Sequence, residues 1–254
     1  MDRLKNINRI RKKLKKGDYT IGTWMQLTDS SVAEILGKSG YDWVAVDLEH
    51  GSISINQLPN IFRAIELGSS LPLARIEAPN PVRCKQALDA GAGGIIVPMI
   101  ENASQLLLIK EACCWPPAGK RGVGFSRANL FGQNFEQYRK EAQSPILVAQ
   151  IENMNAVKNL EEILKVKGLD SVMIGPYDLS ASMEITAEFN HPSFIKILKN
   201  ILELCKKHNV PCGYHVVTPD LNLLKKQIKS GYQFLAYSTD GVFLNTISKI
   251  DLNK

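Results

Sequence analysis

No stretch of the 254 residues approaches the roughly 18 consecutive apolar positions that a membrane-spanning helix requires. The cationic N-terminus also lacks the apolar run of a secretory signal. The expected setting is therefore soluble and cytoplasmic, with no membrane partner. Disulfide and zinc chemistry are disfavoured as well. The cysteines (Cys84, Cys113, Cys114, Cys205 and Cys212) are odd in number, Cys113 and Cys114 are adjacent, and no C-x-x-C pair occurs. They read as reduced thiols, mostly buried as small hydrophobes. A G-x-G-x-x-G turn after the first strand is missing, which weighs against an open dinucleotide-binding sheet. No Pro/Ser-rich linker or low-complexity tract divides the chain, so one domain over residues 1–254 is expected.

Charge is scarcer than its total suggests. The net +6 is concentrated in residues 1–16, which hold eight Lys/Arg and one Asp and leave the remaining chain at −1. Within that segment Leu4, Ile7, Ile10 and Leu14 recur at helical spacing, which predicts a basic amphipathic N-terminal helix with its cations on the outer faces. Such a helix suits packing across one end of a barrel better than a nucleic-acid or membrane patch, so neither partner is expected.

What is present is a repeat of short apolar runs, each followed by a polar turn and a helical pattern. The runs are Thr20 to Gln26, Trp43 to Leu48, Leu71 to Ile76, Gly94 to Met99, Ile146 to Ile151, Ser171 to Gly175, Pro211 to Val216 and Gln233 to Ser238. Strings such as Ile95-Ile96-Val97 are apolar throughout, as parallel strands buried on both faces require. The helical stretches are Ser31 to Ser39, Ile55 to Leu67, Pro81 to Ala90, Ala103 to Cys114, Asn155 to Val166, Pro192 to His208 and Pro219 to Ser230. Eight such units predict an α/β fold, a (β/α)8 TIM barrel. Residues 115–144 exceed an ordinary connection, which points to a loop over the site or a subunit contact.

Barrel chemistry sits at the C-terminal strand ends, so the polar residues there are the candidates. The second strand ends Asp47-Leu48-Glu49-His50: alternation puts both carboxylates on one face, and a carboxylate beside an imidazole suits a general base. Arg75 ends the third strand, where a guanidinium can neutralise a carboxylate or a developing enolate, or serve as a structural ion-pair partner. Gln150 and Glu152 share one side at the end of the fifth strand, and Gly175 and Asp178 follow the sixth. Two carboxylates at neighbouring strand ends make a candidate octahedral site for a hard divalent cation, with substrate oxygens and water completing the shell. Either could instead be a helix cap or solvated loop acid, Asp178 especially. His215 could line the mouth, whereas His191 precedes a proline and His208 closes a helix, so these two read as structural.

In order and spacing, several blocks resemble one family: Gly22-Thr23-Trp24, Tyr41-Asp42-Trp43 through Asp47-Leu48-Glu49-His50-Gly51, Leu88-Asp89-Ala90-Gly91-Ala92 through Ile96-Val97-Pro98, Pro116 to Gly122, Gln150-Ile151-Glu152, and Gly175-Pro176-Tyr177-Asp178-Leu179-Ser180. These resemble the class II pyruvate aldolases typified by 4-hydroxy-2-oxoheptane-1,7-dioate aldolase, which include 2-keto-3-deoxy-sugar-acid aldolases. The resemblance implies a metal-dependent lyase that reversibly splits a 4-hydroxy-2-oxo acid into pyruvate and an aldehyde through a pyruvate enolate. It implies Glu152 and Asp178 as ligands of Mg2+, Mn2+ or a similar ion, His50 as base with Asp47 as its orienting partner, and Arg75 on the keto oxygen. Gln150, with the backbone around Gly175 and Tyr177, would hold the pyruvyl carboxylate, and Trp24 would line the pocket. A homohexamer built as a trimer of dimers is also implied.

The chain departs from the family after Ser180, where a glycine-containing turn is replaced by Ala181-Ser182-Met183-Glu184-Ile185-Thr186. Without glycine a positive φ is disfavoured, so a different loop path and a changed acceptor pocket near Met183 are expected. Two other readings are open to the sequence. A lyase for a CoA thioester of the citramalyl or malyl type needs a basic nucleotide surface, and little beyond Lys120-Arg121 offers one. A catalytically idle barrel with a basic binding helix predicts salt-sensitive binding indifferent to Glu152 and Asp178.

Overall fold

The eight apolar runs become eight parallel strands: β1 Thr20–Met25, β2 Trp43–Asp47, β3 Leu71–Arg75, β4 Gly94–Val97, β5 Ile146–Ile151, β6 Ser171–Ile174, β7 Cys212–Val216 and β8 Phe234–Thr239. Each pairs with the next and β8 pairs with β1, which closes the barrel. The computed structural model describes residues 2–250, so Met1 and residues 251–254 of the expected single-domain span lie outside the described residues. No helix among the described residues is long and apolar enough to cross a membrane.

The helices are α1 Arg3–Lys15, α2 Ser30–Lys38, α3 Leu58–Leu67, α4 Pro81–Ala90, α5 Ala103–Cys113 and α6 Phe135–Glu141, then α7 Met154–Lys158, α8 Leu160–Leu164, α9 Pro176–Ser182, α10 Pro192–Lys207, α11 Leu221–Ser230 and α12 Asp240–Ile247. Most start on a side-chain cap: Asn80, Asn102 and Asp220 each accept a backbone N–H from the first turn of the helix they precede. The stretch read as one helix from Asn155 to Val166 is two, broken at Asn159, whose φ of −97° and ψ of 10° leave the helical well. Two short helices, α9 and α12, follow β6 and β8 directly.

The barrel interior is filled by Trp24, Trp43, Leu71, Leu73, Ile96, Val148, Met173 and Phe234. Trp43 and Phe234 stack 4.4 Å apart. A Cβ at Gly22 would meet the Trp43 indole at 2.0 Å, so this glycine makes room for the ring that fills the lower barrel. A second, larger apolar layer lies between the strands and the surrounding helices.

Helix α1 closes the N-terminal end. Ile7, Ile10 and Leu14 join the interior cluster. Its cations do not all face outward as the sequence suggests. Arg3 reaches Glu141 (2.7 Å) and Glu66 (3.1 Å), Arg9 and Lys13 reach Asp42 (3.0 and 2.8 Å), and Arg11 reaches Asp170 (2.6 Å). These acids lie at the starts of strands or on α3 and α6, where no local pattern shows that they face α1. Arg3, Glu66 and Glu141 are almost wholly buried, with side chains 11%, 12% and 8% exposed. Truncating Arg3 leaves Glu66 its pair with Arg127 but strands the buried Glu141 carboxylate without its direct partner. Arg3→Met is therefore expected to lower stability by about 3 kcal/mol, read as a lower urea midpoint at unchanged slope. An unchanged midpoint would mean that the Arg3 pairs add nothing to the hold of α1.

Candidate active site

Asp47 and Arg75 are the last residues of β2 and β3 and stand directly opposite in the register. Arg75 Nε and Nη2 donate to Asp47 Oδ1 and Oδ2 at 2.9 and 2.6 Å, and Nη1 lies 2.9 Å from Glu49 Oε2. The guanidinium carbon sits 4.5 Å from the centre of the Trp24 ring. Burial opposes the charge of both partners, but their attraction prevails: the Asp47 carboxyl is held below the usual range and the Arg75 guanidinium above it. Burial pushes the Glu49 carboxyl up despite the nearby guanidinium.

Asp47 also accepts from Gln26 Nε2 (2.9 Å) and from the backbone N–H groups of Glu49 and His50 (3.0 and 3.2 Å). The resemblance implies Asp47 as the partner that orients His50, and here its bonds go to the backbone of the turn. The Asp47 carboxylate holds the turn that carries His50, while the acid nearest the imidazole is Glu49, 3.8 Å from Nε2. The His50 side chain is 58% exposed at the rim.

On the other side of the mouth, Glu152 follows β5 and is 2% exposed. Its Oε1 accepts the Met99 N–H at 2.6 Å and its Oε2 accepts Gln150 Nε2 at 2.7 Å. Burial raises its pKa to about 7; the Met99 bond opposes the rise, and negative Glu49 and Asp178 add to it. Gly175 is required here, because a Cβ would lie 2.6 Å from Glu152 Oε2. Asp178 sits in the first turn of α9, with Gly175 rather than Asp178 at the N-cap.

A cavity of about 320 Å3 opens at this end of the barrel, with Trp24, His50, Arg75, Gln150, Gly175, Tyr177 and Asp178 in its lining. Asp47 and Glu152 are not in its lining. The same cavity is lined by residues not singled out from sequence, Gln26 and Thr239, which lie at the C-terminal ends of β1 and β8. Strand-end position was the available signal for both, but it does not separate a cavity residue from a loop residue. His215 lines the cavity, whereas His191 caps α10 and His208 ends it. A larger cavity, about 440 Å3, lies at the opposite end beside Arg11 and Asp170. Strand polarity, not size, selects between them.

The glycine-free loop after Ser180 takes positive φ after all, at Glu184 (62°) and Ala187 (63°). Ser180 anchors it: its carbonyl accepts Ile185 N–H at 3.0 Å and its Oγ accepts Ala187 N–H at 2.9 Å. Met183 packs on the apolar layer outside the strands and is not part of the cavity lining.

Among the described residues no three His, Cys, Asp or Glu side chains cluster as a ready metal cage. The residues present nevertheless fit a cation that takes two protein ligands. Glu152 is a buried carboxylate in mutual repulsion with Glu49 and Asp178, and Gly175 keeps the space beside its Oε2 free of a side chain.

The model of the HpcH/HpaI aldolase/citrate lyase family matches residues 20–246. The chain is 36% identical to the hydroxypyruvate/pyruvate aldolase of Roseobacter denitrificans over 249 residues, 94% of each chain. It is 35% identical to the 2-keto-3-deoxy-L-rhamnonate aldolase of Shigella boydii, covering 92% of this chain and 87% of that one. The crystal structure of an HpcH/HpaI aldolase/citrate lyase family protein from Burkholderia cenocepacia superposes with a TM-score of 0.88 at 29% identity, covering 95% and 96% of the two chains. With matches of this extent and the charged site at the strand ends that chemistry in this fold uses, the chain belongs to the HpcH/HpaI aldolase/citrate lyase family and is an aldolase, a carbon–carbon lyase.

Proposed function

We propose that the chain reversibly cleaves a 4-hydroxy-2-oxo acid to pyruvate and an aldehyde, using the site between Arg75 and Asp178. The observation that carries this reading is the fixing of Arg75. Two of its five N–H groups are taken by Asp47, and Nη1 is paired by charge with Glu49 without a hydrogen bond to it, which leaves N–H groups for a substrate oxygen in the cavity. A guanidinium so held is oriented before the substrate arrives, the condition under which charge stabilisation is most effective.

In this scheme Arg75 donates to the keto oxygen at C2. Gln150 gives one amide N–H to Glu152 Oε2, and its second N–H, with the backbone at Gly175 and Tyr177, orients the carboxylate. Glu152 and Asp178 would hold a divalent cation such as Mg2+ or Mn2+, which when bound supplies Lewis acidity to the oxygens of the oxo acid. His50, at the open rim, takes the proton of the C4 hydroxyl as the C3–C4 bond breaks and the aldehyde leaves. The electron pair passes toward the oxygen facing Arg75, and C3 is then protonated to give pyruvate.

The rest of the chain is read consistently with this. The five cysteines are buried and unpaired, which supports a reducing, cytoplasmic setting. The inward ion pairs of α1 support a seal on the barrel, basic and amphipathic but not a surface for nucleic acid or membrane. Phe125 and Phe131, 73% and 69% exposed on the long connection, support a subunit contact of the kind a hexameric trimer of dimers needs. We take residues 1–254 as one functional unit.

Pyruvate release from a panel of 4-hydroxy-2-oxo acids, with and without EDTA, tests the proposal. Exhaustive metal removal is expected to abolish release, and His50→Ala to slow it by about 10²–10⁴-fold. Release undiminished by metal removal would show the mechanism to be wrong.

A further inference from the structure

Gln26 lines the cavity but has no part in the scheme above. The strand registers explain how it comes to be there. Met25 stands opposite Val46 on the neighbouring strand, so the next step of the same register sets Gln26 opposite Asp47. Asp47 in turn stands opposite Arg75. An amide, a carboxylate and a guanidinium therefore form one row across the ends of β1, β2 and β3, with neighbouring strands about 4.8 Å apart.

The middle of the row is bonded from both sides. Asp47 Oδ2 accepts Arg75 Nη2 at 2.6 Å and Gln26 Nε2 at 2.9 Å. Its Oδ1 accepts Arg75 Nε and the two backbone N–H groups of the β2 turn. Among the described residues, Gln26 is the only side chain besides Arg75 that bonds this fully buried carboxylate. The bond has two effects on the guanidinium. It fixes the rotation of the carboxylate, and hence the plane in which Arg75 is gripped. It also takes up part of the Asp47 charge, so Arg75 is neutralised less completely and keeps more of its charge for a substrate oxygen.

Gln26 is itself held from behind. Gly22 pairs with Ala236 but Trp24 pairs with Thr239, so β8 carries one extra residue against β1, and Ser238 takes a φ of 56° in this bulge. Just beyond the bulge, Asp240 is 3% exposed and accepts the Gln26 N–H at 3.0 and 3.1 Å and the Leu27 N–H at 2.9 Å. Bulges beside active sites re-aim side chains, and this one sets the acid that stops β1 where Gln26 meets Asp47. Backbone and side chain of Gln26 are thus both fixed before a substrate arrives. A wall that had only to fill space would carry an apolar side chain and leave Asp47 Oδ2 one donor short.

We infer that Gln26 is a positioning residue for the cleavage step: acting through Asp47, it aims Arg75 at the oxygen that gains charge as the C3–C4 bond breaks. This rests on the aldolase reading above. Gln26→Met, which keeps the length of the side chain and removes its donor, is compared with wild type on the fastest substrate of the 4-hydroxy-2-oxo acid panel, with Mg2+ supplied. Its kcat is expected to fall by about ten- to a hundredfold with KM within about threefold and the melting curve unchanged.

Gln26→Glu adds a sign that a space-filling role would not show. Two adjacent carboxyls resist ionising together, so at high pH the introduced charge repels Asp47, and once protonated its O–H can donate to Oδ2 in place of the amide. The titratable groups around the position are Asp47, Glu49 and His50 at the end of β2, Arg75, His215 across the cavity and Asp240 behind the backbone. All of them are shared with Gln26→Met, whose kcat/KM relative to wild type should stay level with pH. The same ratio for Gln26→Glu should rise about tenfold or more from about pH 9 to about pH 6.

A Gln26→Met kcat within about twofold of wild type, or a raised KM at unchanged kcat, overturns the inference and leaves the aldolase reading standing. A Gln26→Glu ratio level with pH does the same, and if Gln26→Met does not fold that ratio decides alone. If the wild type cleaves none of the panel, both fall.

Discussion

Arg75→Lys is expected to lower kcat/KM for retro-aldol cleavage by about two to three orders of magnitude with the fold intact. An ammonium keeps the charge but not the geometry. Arg75 uses Nε and Nη2 on the two oxygens of Asp47 and sets Nη1 2.9 Å from Glu49, while its guanidinium carbon lies 4.5 Å from the Trp24 ring centre. Lysine offers three donors from one nitrogen, so it cannot hold both acids and still direct an N–H at a substrate oxygen. It also gives up the stacking of a flat cation on an indole. Asp47 keeps its bonds from Gln26 and from two backbone N–H groups, so the β2 turn should survive. A fall in kcat with little change in KM would place the lost interaction in the transition state. Activity within threefold of wild type, with an unchanged melting curve, would remove Arg75 from the role assigned to it.

The same residue shows what is legible in a sequence. That Arg75 ends a strand can be read from the apolar run Leu71 to Ala74, and barrel topology then sends it to the mouth. That its partner is Asp47 cannot be read so, because the pairing depends on the register of β2 against β3. The family resemblance implies Asp47 as the partner that orients His50, and the structure has the Asp47 carboxylate on the backbone of that turn. The α1 cations were misplaced for a similar reason, since Glu66, Glu141, Asp42 and Asp170 are remote in the chain. Strands were legible because burial on both faces demands unbroken apolar runs. Helix α9 was harder to read, since its seven residues, PYDLSAS, carry no apolar period. The β8 bulge was invisible as well: Ser238 in a left-handed conformation leaves no mark in a run that otherwise reads as strand.

Glu152→Gln is expected to move activity and stability in opposite directions. Cleavage should fall by at least about a hundredfold, because an amide cannot supply the charge that a hard cation selects. Stability without metal should rise, and the sign follows from the titration. Burial raises the Glu152 pKa from 4.5 to about 7, so the folded state favours the protonated carboxyl. The resulting stability is fully present below pH 4.5 and is lost as pH rises through about 7. Above that, the folded chain carries a buried charge facing Glu49 and Asp178. The full interval corresponds to about 3 kcal/mol. Glutamine carries no charge, and it can keep the bond from Met99 N–H. Its amide can also pair with Gln150 if that side chain turns its free Oε1 inward.

At pH 8 the metal-free variant should therefore melt several degrees above the metal-free wild type, with the gap closing as pH falls toward 4.5. Adding Mg2+ should raise the wild-type midpoint at pH 8 and leave that of the variant nearly unmoved. Equal midpoints at every pH would mean that Glu152 is ionised at no cost in the folded chain, and the case for a cation between Glu152 and Asp178 would lose its physical basis. Opposite signs for activity and stability would instead identify Glu152 as a residue kept for chemistry at the expense of the fold.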